Sequence, residues 1–449
     1  MKHTPTLFSL LLGFLPLTGN ADVELPNIFG NHMVLQRGAP LQIWGTADAG
    51  EKIALKFGPR TFTSTTDEDG DWEIGLPSLK SDGGKSHKMT IKGRNTIVLE
   101  NILIGDVWIG SGQSNMEWNM NGSERRDEFV KDANHPGIRL FHIPKKQFDA
   151  PQTDVEAKWK PCTSSNIPNF SAVLYHFGKA IQTDQKVPIG LINSSWGGSP
   201  IEPWTVTDKG SGKMYNGMIA PIVKFPVTGT IWYQGETNCL QKNGLSYTGK
   251  MKDLIEGWRR VFNNGNMPFY FVQIAPWNGS YAPGQLPALW EAQCATLKLP
   301  HTGMAVTTDI VHNIGDIHPR NKHDVGNRLA RWALARHYQK KGVICSGPLY
   351  KAMKVEGSRI RLAFAHSDGL KSRDGKDLNE FKIAGSDGQF VDAKAEIEGK
   401  FVLVSAESIK NPTQVRFGWH KVANPNLVNR AGLPASPFQT EKWTGGTGE

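Results

Sequence analysis

At 449 residues the chain exceeds what one hydrophobic core usually serves, so two or three domains are expected. A 39% hydrophobic content with 48 glycines and 27 prolines suits a loop-rich globular protein carrying much β structure. The net charge of +9 is spread over pairs such as Lys145-Lys146, Arg259-Arg260 and Lys340-Lys341. That is not the basic face with interleaved aromatics that nucleic acid requires, so nucleic acid is not an expected partner.

The chain opens with Lys2 and His3, then the apolar run Leu7-Phe8-Ser9-Leu10-Leu11-Leu12-Gly13-Phe14-Leu15, then Gly19-Asn20-Ala21. This three-part layout predicts a secretory signal peptide over 1–21, too short to cross a bilayer. The mature protein is therefore expected to be secreted or periplasmic, and no later stretch is apolar enough for a membrane span. Residues 22–100 contain short alternating runs, Leu41-Gln42-Ile43-Trp44 and Ile53-Ala54-Leu55-Lys56-Phe57, split by turn clusters such as Asp67-Glu68-Asp69-Gly70-Asp71. That pattern predicts a small β-sandwich, immunoglobulin- or jelly-roll-like. From 101 to 341 buried-strand segments (106–110, 189–195, 228–234, 269–275) alternate with helical ones (172–183, 246–262, 322–341), which specifies a parallel sheet covered on both faces. Residues 342–449 return to β patterning, with Ile360-Arg361-Leu362-Ala363-Phe364 and Phe401-Val402-Leu403-Val404 as strands, and 444–449 is expected to be disordered. The four cysteines, Cys162, Cys239, Cys294 and Cys345, have neither CxxC nor zinc spacing; export permits disulfides, but small buried thiols are the default.

The strand Val107-Trp108-Ile109 runs into Gly110-Ser111-Gly112-Gln113-Ser114, which puts Ser114 at the carboxyl edge of the sheet, where α/β enzymes hold ligands. The elbow G-x-S-x-G fails here, because Met116 stands two residues after the serine. Such a serine is an ordinary turn residue unless partners converge on it. His318 is one candidate, in the loop Gly315-Asp316-Ile317-His318-Pro319 just ahead of a helix. Pro319 restricts it to an extended backbone, and Asp316 can bond Nδ1–H and fix the tautomer. Asp309 and Glu236 are alternative acids. The cluster Gln234-Gly235-Glu236-Thr237-Asn238 ends another strand and offers a carboxamide for an oxyanion. Ser195-Trp196-Gly197-Gly198-Ser199 ends a third, where Gly197 or Gly198 lets a backbone N–H approach a substrate oxygen. Each segment alone is compatible with a plain strand-to-loop transition.

Together, Gly110-Ser111-Gly112-Gln113-Ser114-Asn115-Met116, Ser195-Trp196-Gly197-Gly198-Ser199-Pro200-Ile201-Glu202, Trp232-Tyr233-Gln234-Gly235-Glu236 and Asp316-Ile317-His318-Pro319 resemble the sialate O-acetylesterase family of the SGNH (GDSL-like) hydrolases, over about residues 102–340. Asn31-His32-Met33-Val34-Leu35-Gln36-Arg37 is similar to that family's opening segment. The resemblance implies an SGNH-type, flavodoxin-like, three-layer α/β/α parallel sheet, no cofactor and no metal, and an O-acetylated glycan or sugar as substrate. It implies Ser114 as nucleophile, His318 as general base and Asp316 as the orienting acid, although many SGNH proteins place that acid three residues before the histidine, where Gly315 stands here. The oxyanion hole would combine the Ser114 N–H, Gly197 or Gly198, and Gln234, with Asn115, Trp196, Glu236 and Asn238 binding substrate. Trp204, Tyr233 and Trp277 are further candidates to stack on sugars, Trp232 is expected to be a core aromatic more than a sugar platform, and Glu202 and Arg320 are candidates to order the loops or touch substrate. Rival readings are a xylan or xyloglucan esterase of the same fold, a silent carbohydrate-binding protein, and a lipase or thioesterase. The sugar and the oligomeric state are left open.

Overall fold

The computed structural model describes residues 22–441. The signal peptide expected over 1–21 and the glycine-rich end at 444–449 lie outside the described residues.

The organising element is a 17-residue strand, Thr96–Gly112. Its first part alternates exposed and buried residues and pairs antiparallel with His87–Lys92; from Ile102 onward every residue is buried, the pairing turns parallel at Leu103, and from Trp108 it is parallel on both sides. The burial follows the pairing, because an antiparallel edge can leave one face in water whereas a parallel strand is covered on both. One strand thus passes from the N-terminal β module into the α/β sheet, and the division expected at 100/101 falls inside it.

The sheet order is Thr302–Ala305, Phe269–Val272, Gly229–Tyr233, Thr96–Gly112, Ile189–Ser195, His135–His142, Trp159–Cys162. The last of these is antiparallel; the other neighbouring pairs are parallel. Setting aside His135–His142 and Trp159–Cys162 at one edge, the order read from that side is second, first, third, fourth, fifth: the doubly wound, flavodoxin-like arrangement that the resemblance implies. The chain crosses to Ile189–Ser195 on one side of the first strand and to Gly229–Tyr233 on the other. The crevice where ligands bind in such sheets therefore lies at the carboxyl end of Thr96–Gly112.

The two covering layers follow from the period-2 alternation of strand side chains. Gly110 and Ile231 share a register position, and a β-carbon on Gly110 would lie 2.8 Å from Leu174 of helix Ala172–Gln185. The next residue, Trp232, points to the other face and packs edge-on against Trp258 of helix Tyr247–Val261, with ring centroids 6.2 Å apart. Helix Lys322–Trp332 joins Ala172–Gln185 on the first face; a β-carbon on Gly326 would meet the Val173 carbonyl at 2.7 Å. The helix expected over 322–341 stops short of that range. It passes into a π turn, Ala333–His337, and Gln339 is left-handed, which lets the Tyr338 hydroxyl donate to the buried Asp106 at 2.9 Å.

Upstream, Leu41–Thr46 pairs with Asp71–Leu76, and Lys52–Phe57 pairs with Arg60–Thr65 and His87–Lys92, all antiparallel with alternating burial. The core of this module is continuous with that of the α/β layers. Downstream, two four-stranded antiparallel sheets enclose a separate core that includes Ile360, Leu362, Val402, Val404, Ile383, Val415 and Phe417. All four cysteines are free, three of them buried. No helix among the described residues is long and apolar enough to cross a membrane.

Candidate active site

Gly112 ends the central strand with φ +130°, and a β-carbon there would lie 2.2 Å from the Tyr233 carbonyl oxygen. Only glycine fits so near the neighbouring backbone. The turn is closed by the Gln113 N–H on Tyr233 O at 3.0 Å and the Trp196 N–H on Gly112 O at 3.0 Å. Ser114 then opens the short helix Ser114–Glu117, half-exposed above the switch point.

His318 reaches Ser114 from the far end of the chain. Its Nε2 lies 2.8 Å from Ser114 Oγ, a hydrogen bond across 204 residues of sequence. The ring stacks on the Trp118 indole, with centroids 4.8 Å apart and planes at 20°. Burial holds the imidazole below its ordinary value of 6.5, with a further push from the Lys322 ammonium and an opposing pull from Asp316. The neutral, proton-accepting form is thereby favoured. The loop is braced from outside: the Trp277 Nε1–H donates to Gly315 O at 3.2 Å and the Asn278 N–H to Ile314 O at 2.8 Å. The Trp277 loop is in turn tied to the C-terminal region by Lys421, whose Nζ donates to Gly279 O at 2.6 Å.

Of the three candidate acids, Asp316 is the one beside the imidazole. Its Oδ1 accepts the His318 backbone N–H at 2.8 Å and lies 3.6 Å from Nδ1, outside hydrogen-bonding range. Asp309 is held by both guanidinium nitrogens of Arg328, at 2.6 and 2.7 Å. Glu236 is buried and bonded to Asn115.

The expected oxyanion donors divide. A β-carbon on Gly197 would lie 3.4 Å from Ser114 Cβ, so the glycine loop is against the serine, and Gly198 (φ +76°) faces open space. The Gly197 N–H, however, donates to Glu117 Oε2 at 2.5 Å, and Glu117 also pairs with Lys145. Gln234 is fully buried: its Nε2 donates to Gln113 Oε1 at 3.1 Å, Ser199 O at 3.2 Å and Asn238 Oδ1 at 2.6 Å, while its Oε1 accepts from Tyr247 at 2.6 Å. A carboxamide spent this way holds loops together and has no N–H left for a substrate, which corrects the expectation for Gln234.

Three residues expected to bind substrate are likewise interior. Asn115, Glu236 and Asn238 are 0%, 2% and 0% exposed. Asn238 accepts from the Ile201 N–H at 3.0 Å and donates to Glu202 and Asn243; Asn115 links Glu236 to the histidine loop. The physical reason is common to all three: polar residues just after buried strands serve first to satisfy the loop backbones and one another. Trp196 remains partly exposed at the rim, as does Trp277, whereas Trp204, Trp232 and Tyr233 are buried in the core. Glu202 and Arg320 do order loops, Glu202 through Asn238 and Lys250 and Arg320 through its Nε–H on Gly122 O at 2.9 Å. Sequence reasoning missed Glu117, Trp118 and Lys322 as site residues. The first two stand within one turn of Ser114, and that proximity was the available signal. Among the described residues no cluster of histidine, cysteine and carboxylate side chains is arranged to hold a metal ion.

A doubly wound sheet with a Ser–His pair over its first strand is the arrangement of a hydrolytic α/β enzyme. Residues 104–335 match the family described as carbohydrate esterase, sialic acid-specific acetylesterase, and the chain belongs to that family. It is 30% identical over 434 residues to a sialate O-acetylesterase of Homo sapiens, covering 82% of this chain and 83% of that one. The Mus musculus sialate O-acetylesterase is 28% identical, with 77% and 80% covered. Among solved structures, a carbohydrate acetylesterase from Xanthomonas citri superposes with a TM-score of 0.90 at 36% identity, covering 94% of this chain and all of the other.

Proposed function

We propose that the protein is a secreted or periplasmic carbohydrate O-acetylesterase that works through a serine acyl-enzyme. The carrying observation is the 2.8 Å contact between His318 Nε2 and Ser114 Oγ at the switch point, in a chain whose relatives are named acetylesterases. Ser114 Oγ attacks the acetyl carbonyl as His318 Nε2 takes its proton, and the acetyl group passes to the serine. His318 returns the proton to the departing sugar oxygen, and water then cleaves the acetyl-enzyme by the reverse relay. Asp316 orients the loop through the His318 N–H and balances the imidazolium that forms during attack. The backbone N–H groups of Ser114 and Gly198 are the oxyanion donors; Gly197 adds a third where Glu117 releases it. Trp196 and Trp277 flank the sugar.

The substrate class is an O-acetylated sugar or glycan. Sialic acid is the first candidate because the human and mouse relatives carry sialate in their names. The test is acetate release from acetylated sialic acid, xylan, xyloglucan and rhamnogalacturonan, with p-nitrophenyl acetate and octanoate alongside. Acetyl substrates are expected to be cleaved and octanoate not, with Ser114→Ala losing roughly 10⁴-fold or more in turnover. Equal acetate release by Ser114→Ala and the parent would refute the serine acyl-enzyme, and no acetate from any substrate would leave a carbohydrate-binding protein instead.

A further inference from the structure

Directly beneath the Ser–His pair lies a charged cluster that none of the acyl-transfer steps uses. Lys322, the first residue of helix Lys322–Trp332, is 1% exposed. Its Nζ donates to Asn115 Oδ1 at 2.5 Å and stands 5.6 Å and 5.4 Å from the ring centroids of Trp118 and Tyr233. The same Asn115 carboxamide donates to Glu236 Oε1 at 2.6 Å and to Ile317 O at 3.1 Å. A buried ammonium and a buried carboxylate are therefore bridged by one side chain, which also grips the residue before the general base. Glu236 Oε2 has no partner among the described residues.

Such a cluster costs stability relative to an apolar one of the same volume, because two titratable groups are taken out of water, and burial pushes Glu236 up and Lys322 down, each toward its neutral form. Its neighbours tie it to the reacting groups. Asn115 follows the nucleophile, Ile317 precedes the base, and Trp118 contacts both the Lys322 ammonium and the His318 ring. We propose that Lys322 is a positioning residue for the reaction: bridged to Glu236 through Asn115, it locks the Ile317–His318 turn over Ser114 and, when protonated, places a positive charge beside the imidazole. This rests on the reading of Ser114 and His318 as nucleophile and base.

The sign of the electrostatic effect follows from the groups that face each ion. Tyr233 faces Lys322 from the neighbouring strand end and Glu236 from the helix after it, Asn115 and Trp118 from the serine turn, and Asp316 from the histidine loop. Facing His318 are the Ser114 hydroxyl, the Trp118 ring, Asp316 and the Lys322 charge. Burial brings Lys322 down to about 7, so it is largely protonated in the more acid range where His318 titrates. A positive neighbour disfavours imidazolium, so removing it raises the imidazole's titration midpoint.

The experiment follows the His318 imidazole by NMR as pH is varied in the parent, Lys322→Met and Lys322→Gln, with kcat and KM measured across the same range. Lys322→Gln retains a hydrogen-bond donor without charge and serves if Lys322→Met does not fold. The expected result is an upward shift of roughly one pH unit in the midpoint. The acid limb of kcat/KM should follow, with kcat lowered about tenfold and KM little changed. An unmoved midpoint in a variant with native circular dichroism overturns the proposal. The NMR titration needs no turnover, so a parent protein that releases no acetate would refute the esterase reading without touching this result.

Discussion

The position of Ser114 depends on what its neighbours exclude. Gly112 passes so close to Tyr233 that no side chain fits, and the serine is thereby delivered to the rim with its hydroxyl toward His318. The imidazole is held as a base by burial and by the Lys322 charge, against the pull of Asp316. The acid limb of kcat/KM is accordingly expected below pH 6.5, the ordinary imidazole value. Asp316→Asn removes the one carboxylate that favours imidazolium, so its acid limb should lie lower still. A pH–rate profile of the two proteins measures the difference, and a limb that rises in Asp316→Asn would contradict this account of the base.

At the scale of elements, the site is made by the ends of strands. Three parallel strands, Thr96–Gly112, Ile189–Ser195 and Gly229–Tyr233, end level with one another, with Gly112 opposite both Ser195 and Tyr233. Their loops carry Ser114, Gly197-Gly198 and Gln234, and the histidine loop closes over them before helix Lys322–Trp332. Gly112→Ala should therefore damage fold and chemistry together. The positive φ and the clash with the neighbouring strand predict a loss of about 3 kcal/mol or more in urea unfolding. What survives folded should show lowered kcat, because Ser114 is displaced from His318. This register also explains which polar residues are available to substrate: loop residues just after the buried strands are consumed in bonding one loop to another, as Gln234, Asn238 and Asn115 are.

At the scale of the whole molecule, the N-terminal β module is built into the α/β sheet. The central strand runs through both, and Arg37 of the module forms a bidentate pair with the buried Asp106 of that strand, both bonds at 2.8 Å. Arg37→Ala would leave Asp106 with the Tyr338 hydroxyl as its remaining side-chain partner. Since an uncompensated buried charge is costly, stability should fall by about 3 kcal/mol. A urea midpoint unchanged from the parent would show that the Arg37–Asp106 pair does not contribute to joining module and sheet. The C-terminal β region has its own core but reaches the site through Lys421 and the Trp277 loop.

The sequence by itself determined the alternation of strands and helices and the two flanking β regions, and its local motifs named Ser114 and His318, which meet at 2.8 Å, while the choice among Asp316, Asp309 and Glu236 as acid stayed open. These are legible because periodicity and local motif are properties of short segments. Only the tertiary structure decided which polar side chains face substrate and which face each other. Gln234, Asn115, Glu236 and Asn238 look in sequence like any cleft residues. Their burial depends on how close the neighbouring loops come, a distance set by strand register and by glycines such as Gly112. Lys322 was hidden for the same reason: a lysine at the head of a helix is normally solvated, and here the Asn115–Glu236 pair and two aromatic rings enclose it.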